Sequence, residues 1–423
     1  MTARFAYVPM ASEFLDDETM SSLISDYVDP LQEVGATRWV GTEPDADVPL
    51  GVFVVSGGTE QMILDLWSRR RQQRQGEPLL LLAHPGHNSL PASLEALARL
   101  QQLGAAGRIV FLNGADDKEA MVMLEQAIAD IEVWEGLHKV RIGSVGPPSD
   151  WLVASSPAAE TVRATWGPEV VDVDLESVYE LFRNAADWQP IAVGLTREAD
   201  RVVEADTPAV DDAAKFTAAL REIVAAENLD AVTVRCFDVI SALGTTGCVA
   251  LSDLNDDHII AGCEGDLVST VGMIWADRLL GTLPWMANPA RVDVDANRVL
   301  LAHCTVPRSL IDSFSVRSHF ESGQGVGIEG HFPLGPVTLV RIGGLEMEKL
   351  WLAEGQIVRT GNDPTLCRTQ IEVELDDGSV ADLLDSPLGN HLIVVPGRHR
   401  MRLAKWHSTM VLGRHGSSQP IGA

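Results

Sequence analysis

Glu264 and Asp266 stand two residues apart in the turn CEGD, immediately before a mostly apolar helical run, LVSTVGMIWADRLLG. Two carboxylates at such a place can cap the helix, hold a metal ion or move a proton, and the turn alone does not choose among these roles. Two histidines, His303 in LLAHCTV and His391 in NHLIVVPG, also lie at the ends of apolar strand-like runs. Carboxylate oxygen together with one or two imidazoles suits a hard divalent cation such as Mn²⁺. The structural alternatives are a helix cap for Glu264, a first-turn dipole partner for Asp266 and a satisfied, half-buried side chain for either histidine. Arg317, His319 and Glu321, in VRSHFESGQGVGIEGHF, flank a glycine-rich turn that would bring substrate hydroxyls close to the backbone; the alternative is a β-turn with solvated charges.

These side chains need strand ends and helix starts to hold them. The first ~145 residues alternate apolar runs with helical patterns, the signature of a parallel α/β layer. In GVFVVSGGTEQMILDLWSRRRQ a strand ends in Gly57 and Gly58 and opens a helix with Met62, Ile63, Leu66 and Trp67 on one face. PLLLLAHPGHNSLPASLEALARL repeats the design, with Asn88 or Ser89 as N-cap and Pro91 in the first turn, and GRIVFLNG is a third strand. SGGTE, with Thr59 at the helix start, has the look of a simple anion site but lacks the spacing of a P-loop, and the RRRQQR run from Arg69 reads as a solvated helix face. VRIGSVGPPSDWLVAS marks a boundary and a new α/β series, whose next link ends at PIAVGL. The polar residues 196–213 suit a mobile loop. Strand AVTVRC then presents Asp238 at its carboxyl end, and HIIAGC does the same for Glu264, the position where open α/β sheets bind ligands. Beyond about residue 298 come short β-rich runs separated by turns, which read as an antiparallel barrel or sandwich, and a last helical run, RHRMRLAKWHSTMVLG. The expected fold is therefore two doubly wound parallel α/β domains, residues 1–145 and 146–298, followed by an antiparallel β-rich, barrel-like domain with a closing helix, residues 299–423.

Composition narrows the function. A formal charge of −28 over 423 residues repels nucleic acid and anionic membrane rather than steering them in, and only five Lys stand beside 27 Arg. An acidic, Lys-poor surface of this kind suits a salt-rich cytosol, although a GC-rich genome alone can produce the Arg bias. No window approaches the ~20 unbroken apolar residues of a membrane span. The opening MTARFAYVPMASEF lacks the pattern of a signal peptide, so the expected location is cytoplasmic. The five cysteines form an odd set with no CxxC pair, which predicts reduced thiols and small buried side chains.

The run CFDVISALGTTGCVALSDLNDDHIIAGCEGDLVSTVGMIWADRLLG, followed by NRVLLAHCTVPRSL, RSHFESGQGVGIEGHFPLGPVTLVRIGG and KLWLAEGQIV, resembles the L-fucose isomerase and L-arabinose isomerase superfamily, in particular its shorter fucose isomerase-like members. The likeness covers roughly residues 230–400, and SGGTE and AHPGHNSLPASLEAL are similar to the N-terminal domain of the same short members. The resemblance implies an aldose–ketose isomerase acting on a sugar or sugar derivative, built as a homo-oligomer, trimer or hexamer, whose neighbouring subunits complete each active site. It also implies Mn²⁺, or another divalent cation, held by acidic residues and histidine and stabilising a cis-enediolate while two carboxylates pass a proton between carbon 1 and carbon 2. The glutamate of the family's EGD matches Glu264, and the family's histidines match His303 and His391, as metal ligands.

One position departs from the pattern. The family's second acidic ligand falls in LPWMANPARVD, where this chain has Asn288, whose amide oxygen can bind a cation but cannot act as a base. Asp238, Asp266, Asp293 and Asp295 are candidates to replace the missing base, and Asp238 is paired with Glu264 as the expected catalytic residue. The departure also keeps two other functions in view. One is a carbon–carbon bond lyase or transferase using the same metal-polarised carbonyl; the other is a non-catalytic sugar-binding homologue.

Overall fold

Runs rich in Leu, Val and Ile form two separate parallel sheets, and the β-rich second half closes into a barrel. The computed structural model describes residues 4–39 and 48–412. Residues 1–3 of the opening segment and Gly413 of the last helical run lie outside the described residues. Two compact units divide the chain: Met1–Trp134 with Lys405–Ala423, and Glu135–Ala404.

In the first unit five strands pair in parallel, in the order Ala36–Arg38, Phe5–Met10, Leu50–Val54, Leu79–Ala83 and Gly107–Phe111. Leu79–Ala83 is buried along its whole length, as a central parallel strand covered on both faces must be. The helix after it, Ser89–Gln102, starts at Asn88, whose side chain makes no capping bond. Ser89 instead ties the turn down, accepting from the His84 N–H at 3.0 Å and donating to the Val54 carbonyl. The arginine run is not wholly solvated: Arg70 is buried and pairs with Glu77 at 2.6 Å. A guanidinium there is tolerated because the carboxylate and the Val48 carbonyl take its protons.

The second unit carries the predicted site. Its parallel sheet runs Ile260–Cys263, Ala231–Val234, Arg141–Val145 and Glu169–Val173. The closed barrel follows the order Trp285–Asp293, Arg298–His303, Thr369–Asp377, Lys349–Thr360, Gly335–Gly343 and Leu392–Pro396, so its first strand begins upstream of residue 298. Helix Leu267–Leu280 packs on the strand Ile260–Cys263 and also on barrel strands Gly335–Gly343 and Leu392–Pro396. That double contact explains its composition, since every residue from Leu267 to Ala276 is buried and a helix that is apolar all round belongs in an interior. Each large side chain so buried contributes about 1.5–3 kcal/mol.

One link takes a definite form and one local expectation changes. PIAVGL lies in the helix Gln189–Glu198, with Pro190 in its first turn, where a missing N–H costs nothing. The polar stretch 196–213 is ordered: Arg201–Val202 pairs with Ser313–Arg317, and Asp206 caps the helix Thr207–Ala226 by accepting from the Ala209 N–H at 2.9 Å. Its polarity is the polarity of a helix start. Among the described residues no helix is long and apolar enough to cross a membrane.

Candidate active site

The strand Ile260–Cys263 ends directly before Glu264, whose φ of +63° is uncommon for a residue with a side chain. Several bonds hold this tight turn. The Gly265 N–H donates to the Val234 carbonyl at 3.1 Å, and the Glu264 carbonyl accepts from the Ser149 N–H at 2.9 Å. Gly265, at φ +74°, allows the close approach, because a Cβ there would sit 2.7 Å from the Pro148 Cα. The carboxylate is aimed as well: Trp151 Nε1–H donates to Glu264 Oε2 at 2.7 Å, which leaves Oε1 for another partner.

Asp266, not Glu264, is the helix cap. Its Oδ1 accepts from the Ser269 N–H at 2.7 Å and its Oδ2 from the Ser269 hydroxyl at 2.8 Å. The wholly buried Asp266 also accepts from His391 Nδ1 at 2.9 Å and faces Arg341 Nη1 at 3.4 Å. Burial alone would raise its pKa, but the Arg341 charge, the His391 bond and the Ser269 N–H together hold the carboxyl well below the usual range. An ionised Asp266 can only accept, so His391 donates its Nδ1–H to it and turns Nε2 away from that carboxylate. That Nε2 is buried, has no hydrogen-bond partner and stands 3.9 Å from Glu264 Oε1. A carboxylate behind the imidazole, fixing tautomer and ring orientation, is the arrangement typical of a metal-bound histidine.

Glu264, Asn288, His303, His319 and Glu321 line one cavity of about 450 Å³. The His303 ring lies 5.5 Å from that of His391, centroid to centroid, and its Nδ1 is 2.8 Å from the Thr305 hydroxyl. Burial, then the neighbouring His391, pushes the His303 pKa down to about 3, so its imidazole stays neutral at ordinary pH and keeps a lone pair to offer. Among the described residues no three His, Cys, Asp or Glu side chains stand as a ready-made metal cluster. What fits a cation is the orphaned Nε2 facing a free carboxylate oxygen, since two ligand bonds of about 2.1 Å span up to about 4.2 Å.

Other predicted residues lie elsewhere. Asp238 sits in the first turn of the helix Cys236–Leu243, paired with Arg235 at 2.9 Å, and is not in the cavity wall. The first turn of a helix beside a guanidinium suits a carboxylate, and this pairing turns it aside. Arg317 is likewise absent from the wall and occupied by Glu204 and Glu329, an engagement that lowers the Glu204 pKa to about 2. Asp293 accepts from the Ala296 N–H at 3.0 Å in a turn outside the wall, and Asp295 is exposed. Glu321 is therefore the second carboxylate that shares the cavity with Glu264.

The chain is similar to proteins named sulfoquinovose isomerase. The one from Alkalicoccus urumqiensis is 26% identical over 323 residues, covering 72% of this chain and 70% of the relative. Those from Clostridium sp. and Priestia aryabhattai are 26% and 25% identical, over 64% and 45% of this chain and 59% and 43% of their own lengths. No family model matches the chain.

Sequence reasoning passed over Trp151 and Phe237, whose rings meet edge to face at 5.0 Å, with Phe237 in turn 5.9 Å from His319. Trp151 lies in the Pro-rich boundary segment, where no periodicity announces a site residue. The glycine-rich loop does hold His319 in place, through its Gln324 and Gly323 backbone bonds at 3.0 and 2.8 Å. In the first unit, the hydroxyl of Thr59 in SGGTE is taken by the Ser56 carbonyl at 3.0 Å.

Proposed function

We propose that the protein is an aldose–ketose isomerase acting on the open-chain form of a sugar or sugar derivative. The observation that carries this reading is the buried, partnerless His391 Nε2 facing Glu264 Oε1 at 3.9 Å, in a chain similar to sulfoquinovose isomerases. Glu264 is the base, taking the proton from the carbon beside the carbonyl and returning it to the neighbouring carbon. Trp151 fixes the carboxylate through Oε2, which leaves Oε1 facing His391 Nε2. Glu321 and His319, on the same wall, serve the hydroxyl protons that must move as carbonyl and alcohol exchange places. The rings of Trp151 and Phe237 cover an apolar face of the sugar and exclude water. When bound, a divalent cation such as Mn²⁺, held by Glu264, His303, His391 and the amide oxygen of Asn288, would supply Lewis-acid polarisation of the substrate oxygens.

The test is conversion of aldose to ketose, followed by NMR, with sulfoquinovose and unmodified aldoses as substrates and Mn²⁺ supplied. Glu264→Gln keeps the shape and removes the base, and turnover should fall by about 10²–10⁴-fold. Full activity in that variant, or no ketose from any aldose, overturns the reading. Asn288 in the wall favours one second reading, cleavage of a carbon–carbon bond beside the same carbonyl. Uptake of solvent deuterium without ketose would select it.

A further inference from the structure

All five cysteines of the chain, Cys236, Cys248, Cys263, Cys304 and Cys367, are free thiols and line the cavity that contains Glu264. Burial alone explains cysteines scattered through a core; it does not explain why every one faces the same cavity. They form two contacting groups: Cys304 shares side-chain hydrogen bonds with Cys248 and Cys367, and Cys263 meets Cys236 where the strand Ile260–Cys263 ends beside Glu264. Cys263 Sγ donates to Cys236 Sγ at 3.0 Å. The two thiols come from adjacent parallel strands, since Cys263 pairs in register with Val234 and Cys236 opens the helix two residues later. Each is buried except toward the cavity, which is the route by which a small reagent reaches the pair.

We propose that Cys236 and Cys263 form a dithiol that a hydroperoxide closes to a disulfide, making this wall of the cavity an oxidative modification site. One sulfur attacks the peroxide; the O–O bond breaks, an S–OH group forms, and an alcohol or water leaves with the thiol proton. The second sulfur then attacks that S–OH, the S–S bond forms and water departs. In total the two thiols lose two electrons and two protons, and the peroxide is reduced to its alcohol, or water, plus one water. The sulfurs must close from 3.0 Å to about 2.05 Å. Cys263 is joined by one peptide bond to Glu264, which already sits at a positive φ, so the shift of about an ångström is passed to the proposed base. Misplacement on that scale costs about 10²-fold in rate. The effect on turnover rests on the isomerase reading, whereas the bond itself does not.

The experiment treats the reduced full-length protein with hydrogen peroxide, alkylates remaining thiols and maps the peptides without reduction. The expected result is a Cys236–Cys263 linked peptide lighter by two hydrogens, alkylated Cys248, Cys304 and Cys367, and no link in Cys236→Ser or Cys263→Ser. Aldose turnover should fall about 100-fold and return with dithiothreitol. Alkylation of both thiols after peroxide, a link between another pair, or sulfinic acid at Cys236 without a link overturns the proposal, and a linked protein with undiminished turnover overturns its coupling to Glu264. A cross-linking protein that converts no aldose when reduced sinks the isomerase reading alone.

Discussion

Replacing Asp266 by Asn tests the support of the site at its most buried point. The amide can keep the cap on the Ser269 N–H through its one oxygen, but the group that replaces Oδ2 becomes a donor. That donor would face His391 Nδ1–H and the Arg341 guanidinium, now at 2.9 and 3.4 Å from the carboxylate. Arg341 is only 1% exposed, and its remaining partners, Ser155, Ser269 and the Leu388 carbonyl, are neutral. Breaking a buried pair and leaving the charge uncompensated costs about 3–5 kcal/mol. Urea denaturation of the metal-free protein should show a loss of that size for Asp266→Asn. In the double variant with Arg341→Met the orphaned charge is gone, and the cycle should return a coupling of about 2 kcal/mol or more. Loss of the carboxylate also releases the His391 tautomer, so Mn²⁺ affinity should drop about 10–100-fold. A single-variant cost below about 1 kcal/mol, or strictly additive effects, would refute the claim that Asp266 is an ionised hub.

Three further outcomes are expected. Asn288→Asp places a second carboxylate in the cavity wall and should tighten Mn²⁺ binding about tenfold by calorimetry; weaker binding would remove this position from the ligand set. Trp151→Phe deletes the donor to Glu264 Oε2 while leaving a ring beside Phe237. Turnover should fall about tenfold because the carboxylate is no longer held in one orientation, and undiminished turnover contradicts the role. In the metal-free protein, His303 stays neutral down to about pH 3 in the fold but binds a proton below 6.5 when unfolded. The unfolded state therefore binds more protons in that window, and stability falls as pH falls, by about 1.4 kcal/mol per unit from this residue. Its contribution is separable above about pH 5, where Asp266 is ionised in both states, and His303→Gln should flatten the slope there.

The sequence by itself determined the elements and one reactive corner. Leu-, Val- and Ile-rich runs of four to six residues between helical periods can satisfy their backbone only as buried parallel strands, and alternating runs between turns only as antiparallel ones. The CEGD turn at a strand end, followed by a mostly apolar helix, announced Glu264 because that junction is local in the chain. Which carboxylate caps the helix was not legible: Asp266 wins because Ser269 lies at capping distance and Arg341 and His391 converge on it. Asp238 looked equivalent to Glu264, each following a strand end, until Arg235 turned it aside. Polar residues 196–213 misled because a capped helix start has the same composition as a loop. Only the tertiary structure could bring Trp151 to Glu264, His391 to Asp266 and five scattered cysteines to one cavity, since such contacts join residues as far as 125 positions apart and leave no period in the chain.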